Sequence, residues 1–227
     1  MAEDLGACEE VVETYKITVN PEPVYIDDSL EICSGSNLDF TPENLIPGSL
    51  FTWTVSQIPG ISGAAPSTQP SASIQNTLTN NTNEARILIY QITPFLGTCP
   101  GRPFSLIVTV LPSPEINFSL SDQVLCTGTS SEEVLISSSV PSATFSWTAV
   151  PNGVEGVSLS GQGNTIPVQN LINPTSNPIT IEYQVIAFTG SQNSCAGIPQ
   201  IYKITVNPSI SLTEQVSDFS GFGISCF

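Results

Sequence analysis

The sequence contains no histidine, only four basic side chains and a single methionine. Without histidine it lacks the group most often poised near neutrality as a general base, and the nitrogen ligand of most zinc centres. Four cations against 20 carboxylates leave a net charge of −16. Such a surface repels phosphate backbones and anionic lipid, which excludes nucleic acid and membrane surfaces as partners. No apolar run approaches the length of a membrane span, so no membrane insertion is expected. No window repeats its apolar residues at helical spacing. The six cysteines include no Cys-x-x-Cys pair, which argues against a metal site and for disulfides formed in an oxidising compartment. No cofactor is implied. Met1-Ala2 leads straight into acidic residues with no export leader, and the expected origin is a piece of a longer secreted chain.

What the chain has in quantity is Ser, Thr, Asn, Gly and Pro, with β-branched residues in short runs, the composition of an all-β protein with many turns. Its organising feature is a repeat. Tyr15-Lys16-Ile17-Thr18-Val19-Asn20-Pro21 returns unchanged as Tyr202 to Pro208, and Ile107 to Pro112 holds the same place between them. The period is therefore about 93 residues. It places Cys33 on Cys126, Trp53 on Trp147, Leu78 to Gln91 on Leu171 to Gln184, and Cys8, Cys99 and Cys195 in one column. The boundaries that follow are 1–21 for the last strand of a preceding module, 22–112 and 113–208 for two whole modules, and 209–227 for the start of a fourth unit.

Strands are expected over Glu13 to Val19, Val24 to Ile32, around Leu38 and Phe40, over Phe51 to Val55, and from Arg86 and Phe104 onward, with one short edge strand near Ile74. The second module repeats the order. Alternation turns Phe51, Trp53 and Tyr90, and their counterparts Phe145, Trp147 and Tyr183, toward the core. Short strands with turn signals between them, and a Trp on the third strand, predict Ig-like β-sandwiches in tandem. The proline-bearing connectors, Pro21-Glu22-Pro23 and Pro112-Ser113-Pro114, predict that they lie end to end.

Cys-Ser-Gly-Ser at 33–36, Cys-Thr-Gly-Thr at 126–129, Phe-Thr-Trp-Thr-Val at 51–55, Tyr-Gln-Ile-Thr-Pro at 90–94 and Gly-Thr-Cys-Pro-Gly at 97–101 together resemble the PKD-like repeats of large Bacteroidota surface proteins. Val216 to Cys226 resembles the opening of the short repeat of SprB-type gliding-motility adhesins. The Trp strands are not followed by the Phe-Gly-Asp-Gly turn of the PKD domains attached to enzymes. The resemblance implies a very long adhesin, exported by the type IX secretion system to the cell surface and carried by the gliding machinery. It also makes Ser29, in Asp28-Ser29-Leu30, a candidate acceptor for O-glycosylation.

Two disulfide patterns are open. Analogy with Ig domains pairs Cys33 with Cys99 and Cys126 with Cys195 inside each module. In the Ig-like strand order those turns lie at opposite ends of a sandwich, so in an end-to-end array Cys33 instead faces Cys195 of the next module. Asp27-Asp28 is an acidic pair of the kind that binds calcium, without ligand-loop spacing. The acids Glu43 and Glu84 have no acidic counterpart in the second module, and Gly161-Gln162-Gly163 lacks the helix that phosphate binding needs. No enzyme is expected. The reading is a structural stalk whose partners are its neighbouring modules. The alternative is a module that binds surface polysaccharide, accessory to a secreted enzyme.

Overall fold

The computed structural model describes residues 12–19, 21–43, 45–190 and 195–209, and all regular structure among them is β. The first module contains β1 (Asp28–Cys33), β2 (Ser36–Phe40), β3 (Ser49–Val55), β4 (Ile61–Ser62), β5 (Ser67–Ser71), β6 (Ile74–Asn80), β7 (Arg86–Leu96), β8 (Cys99–Pro100) and β9 (Phe104–Leu111). One sheet runs β1-β9-β7-β3-β5 with β8 added to β7, and the other runs β2-β6-β4. β1 pairs with β9 in parallel and brings Cys33 opposite Leu111. The second module contains β10 (Asn117–Phe118), β11 (Gln123–Cys126), β12 (Thr129–Ser130), β13 (Val134–Ser137), β14 (Thr144–Val150), β15 (Ser160–Gln162), β16 (Thr165–Ile166), β17 (Asn170–Leu171), β18 (Ile179–Thr189), β19 (Cys195–Ala196) and β20 (Gln200–Asn207). Its larger sheet, β11-β20-β18-β14-β15, repeats that of the first module, again with a parallel first pair.

Three sequence expectations need correction. Val24 to Asp27 precedes the first strand, although Tyr25 is buried there against Phe51 and Phe104. The Gly-, Ser- and Pro-rich crossing holds β4 and β5 as well as β6, and β5 tolerates Pro70 because it is the edge strand beyond β3. Residues 12–19 are described but carry no strand, since no neighbour supplies a ladder for them.

Trp53 and Trp147 are 8% and 4% exposed, and each indole N–H donates to a backbone carbonyl at 2.9 Å, Ala65 in one module and Thr165 in the other. Phe51, Tyr90 and Tyr183 are buried. Phe145 is not. It is half-buried, because the ring cluster of Tyr25, Phe51 and Phe104 has no copy in the second module, where Gln200 stands at the place of Phe104.

The buried tyrosines keep their hydroxyls bonded, Tyr90 to Asn76 Oδ1 at 3.0 Å and Tyr183 to Gln169 Oε1 at 3.2 Å. Burial pushes the Tyr90 phenol up to about 12 and also raises Tyr183. An acid whose pKa is raised on folding stabilises the fold fully below the unfolded value, near 10, and loses that contribution as pH climbs through 12. Titration should therefore show unfolding between pH 10 and 12. Tyr90→Phe should flatten the first module's part of this loss. An absorbance titration at 295 nm in which every tyrosine ionises as a free phenol would contradict it.

Candidate functional site: the joint between modules

The two ends that meet at the joint are built from backbone turns rather than from reactive side chains. On the first module, β1 ends at Cys33 and turns through Ser34 and Gly35 into β2. Ser34 N donates to Leu111 O at 2.9 Å and Gly35 N to Leu78 O at 2.8 Å, so the turn ties both sheets together. Gly35 has φ +83° and its counterpart Gly128 has φ +80°, and a Cβ at either would meet open space; conformation, not crowding, requires glycine there.

Behind this turn lies a buried asparagine. Asn80 Nδ2 donates to Glu84 O and Val110 O, both at 2.8 Å, while its Oδ1 accepts from Thr82 N at 2.9 Å and Thr82 Oγ1 at 2.7 Å. Its own N–H donates to Ser34 Oγ at 3.0 Å. One amide thus connects the end of β6, the loop after it, the last strand and the Cys33 turn. Asn173 does the same in the second module, with Asn177 O at 2.7 Å, Val206 O at 2.8 Å, Thr175 N and Oγ1 at 2.9 and 2.8 Å, and Thr127 Oγ1 at 2.9 Å. Such amides are costly to bury unpaired and here are fully paired. The repeat aligns Thr82 with Thr175, but no role for these asparagines was read from it. The signal was an asparagine at the same place in both copies, two residues after a leucine that is buried in each, Leu78 and Leu171.

On the second module, β19 presents Cys195 at the near end. Cys33 and Cys195 form a disulfide across the joint, with Cα atoms 5.4 Å apart and a separation of 162 positions in sequence. Three further features close the gap. Thr189 Oγ1 donates to Pro112 O at 3.0 Å, Ser139 Oγ to Asn83 Oδ1 at 3.5 Å, and Leu111, Pro112, Pro114 and Val140 are buried. A Cβ on Gly197 would lie 2.2 Å from Pro114 O, so only glycine lets the connector lie this close.

Of the candidate cysteines, then, the structure joins Cys33 to Cys195, and the within-module pairs Cys33–Cys99 and Cys126–Cys195 are not formed. The reason is strand length. Cys33 sits opposite the last residue of β9 and Cys99 precedes the first, with β9 spanning about 25 Å between them. Cys99 is an exposed free thiol, whereas Cys126 is disulfide-bonded. Cys8 and Cys226 lie outside the described residues, as does the stretch from Val216 that carries the second resemblance.

Asp27 and Asp28 accept from different backbone N–H groups. Asp27 Oδ1 accepts from Ser105 N at 2.6 Å and Asp28 Oδ1 from Ser29 N at 2.7 Å, which uses both as backbone braces. Among the described residues no three Cys, Asp or Glu side chains are grouped to hold a metal ion. Ser29 is exposed on the edge strand β1. A depression of about 760 Å³ opens beside Phe145 and Phe188 and is lined by Thr144, Gln162 and Asn164, without a charged group.

The strand order, found twice, defines this protein as a tandem of Ig-like β-sandwich modules. More narrowly, the chain belongs to the PKD-like domain family, whose profile matches residues 30–114 and again 123–210. Among solved structures it is similar to DIP-gamma IG1+IG2, at 13% identity and TM-score 0.37, covering 82% of this chain and 98% of that one. It is also similar to the Clostridium thermocellum CbhA fibronectin(III)-like modules, at 11% identity and TM-score 0.33, over 84% and 96% of the two chains. A third is the chicken CNTN1 FN1-FN3 domains, at 10% identity and TM-score 0.41, over 82% and 69%. No curated protein matches the sequence.

Proposed function

We propose that this chain is a non-catalytic length of the stalk of a large secreted surface adhesin, of the SprB type carried by the gliding machinery of Bacteroidota. The observation that carries the reading is the joint. A disulfide between modules, a buried proline connector and a glycine seat for it fix one sandwich on the next, which serves reach and spacing rather than turnover. Neighbouring modules are the partners, and type IX export delivers the array to the cell surface, where the exposed Ser29 is available for O-glycosylation.

Small-angle scattering should give a rod about 80 Å or more in length, two sandwiches end to end, and a near-spherical particle would rule it out. Antibodies against the chain should label intact cells and follow moving ones. Labelling only after permeabilisation would overturn the surface assignment.

The depression beside Phe145 favours a second reading, a polysaccharide-binding module accessory to a secreted enzyme, because two half-buried rings flanked by amides and a hydroxyl suit a sugar face. Glycan titration followed by NMR tests it: shifts confined to Thr144, Gln162 and Asn164 support it, and none across a broad panel removes it.

A further inference from the structure

Identical residues meet opposite fates in this chain. Tyr202, Ile204 and Val206 are 1%, 0% and 0% exposed as the inward side of β20, whereas Tyr15, Ile17 and Val19 in the same heptapeptide are 82%, 86% and 87% exposed. The heptapeptide at 15–21 leads into Pro21-Glu22-Pro23 just as Ile107 to Leu111 leads into Pro112-Ser113-Pro114, and the seat for that connector is also duplicated. A Cβ on Gly101 would lie 2.1 Å from Pro23 O, as one on Gly197 would lie 2.2 Å from Pro114 O. Yet what surrounds the two seats differs. Pro112 is buried and Pro21 exposed; Val140 is buried and Ile46, at the matching turn, only half so. Cys195 is 3% exposed and bonded, and Cys99, in the matching two-residue strand against β7, is an exposed thiol.

We infer that residues 15–21 are the last strand of a further PKD-like module, which docks on the near end of the first module and is fastened there by a disulfide between Cys99 and the cysteine of its own first turn. The chain itself specifies the occupant. Seven residues that complete a β20 ladder in one place are built to complete the same ladder in another, between strands equivalent to β11 and β18. Once they do, that module's Cys33-like turn lies beside its closing strand, as Cys33 lies beside Leu111, and the short connector delivers it to Cys99. Bond formation removes two protons and two electrons from the two thiols. They pass to a disulfide oxidant, which is reduced to two thiols. The inference stands on the repeat alone and holds whether or not the array is an adhesin.

The test inserts a second copy of residues 113–201 between Thr14 and Tyr15 of the full chain, so that the copied module must close with residues 15–21. After oxidation with oxidised glutathione, non-reducing peptide mapping should link Cys99 to the copied Cys126, and amide exchange over 15–19 should slow by about two orders of magnitude or more. Ile17→Asp in the extended chain should abolish both changes, while leaving the melting of the original two modules unmoved. Cys99 still open to alkylation, a link from Cys99 to any other cysteine, unchanged exchange over 15–19, or a link that survives Ile17→Asp would each overturn the inference.

Discussion

Ile204→Asp is expected to unfold the second module, and Ile17→Asp, the same change in an identical heptapeptide, to leave the melting temperature where it was. Ile204 is fully buried in the middle of β20, between the parallel strand β11 and the antiparallel β18. A carboxylate there has no partner and no water, and the cost exceeds about 4 kcal/mol, a large part of what a domain of this size possesses. Ile17 is 86% exposed, and surface changes rarely shift stability by more than about half a kcal/mol. Thermal unfolding followed by circular dichroism separates the two. Equal effects would mean that the heptapeptide at 15–21 is already packed, which would contradict the exposure that distinguishes the two copies.

Trp147→Ala and Trp53→Ala should each destabilise their own module by about 3–5 kcal/mol. Trp147 packs edge-on against Tyr183 with ring centroids 5.7 Å apart, and its indole lies so close to Gly161 that a Cβ there would sit 2.4 Å from the ring. Removing it empties a site walled by rigid strands and orphans the Thr165 carbonyl that its N–H now satisfies. The module should unfold in denaturant well before its neighbour, giving two transitions where the native chain gives one or two closely spaced. A loss under about 1 kcal/mol would mean that the surrounding strands collapse into the space.

The repeat made much of this legible. Period-2 alternation located the larger sheet in both modules, and the buried positions of Trp53, Trp147, Tyr90 and Tyr183 follow from it directly. Phe145 shows where copying faces from one module to the next fails, since burial depends on what lies across the core and Gln200 is not Phe104. The asparagine bridges stayed hidden for a similar reason: Asn80 bonds Val110, 30 residues further on, and nothing local in the sequence announces that partner. The disulfide could be narrowed to two patterns but not chosen, because the choice depends on which ends of two separate sandwiches meet.

The Cys33–Cys195 bond has a mechanical corollary. When the chain is pulled from both termini, force enters through β1, crosses the sulfur bridge and leaves through β19 and β20, so the 162-residue span between the cysteines bears no tension. That span would otherwise release roughly 550 Å of contour on unravelling. The bond therefore caps how far this part of the chain can lengthen, and both hydrophobic cores lie largely inside the protected loop. Under oxidising conditions the joint acts as a safety link, and a reductant turns the same molecule into a long extensible tether.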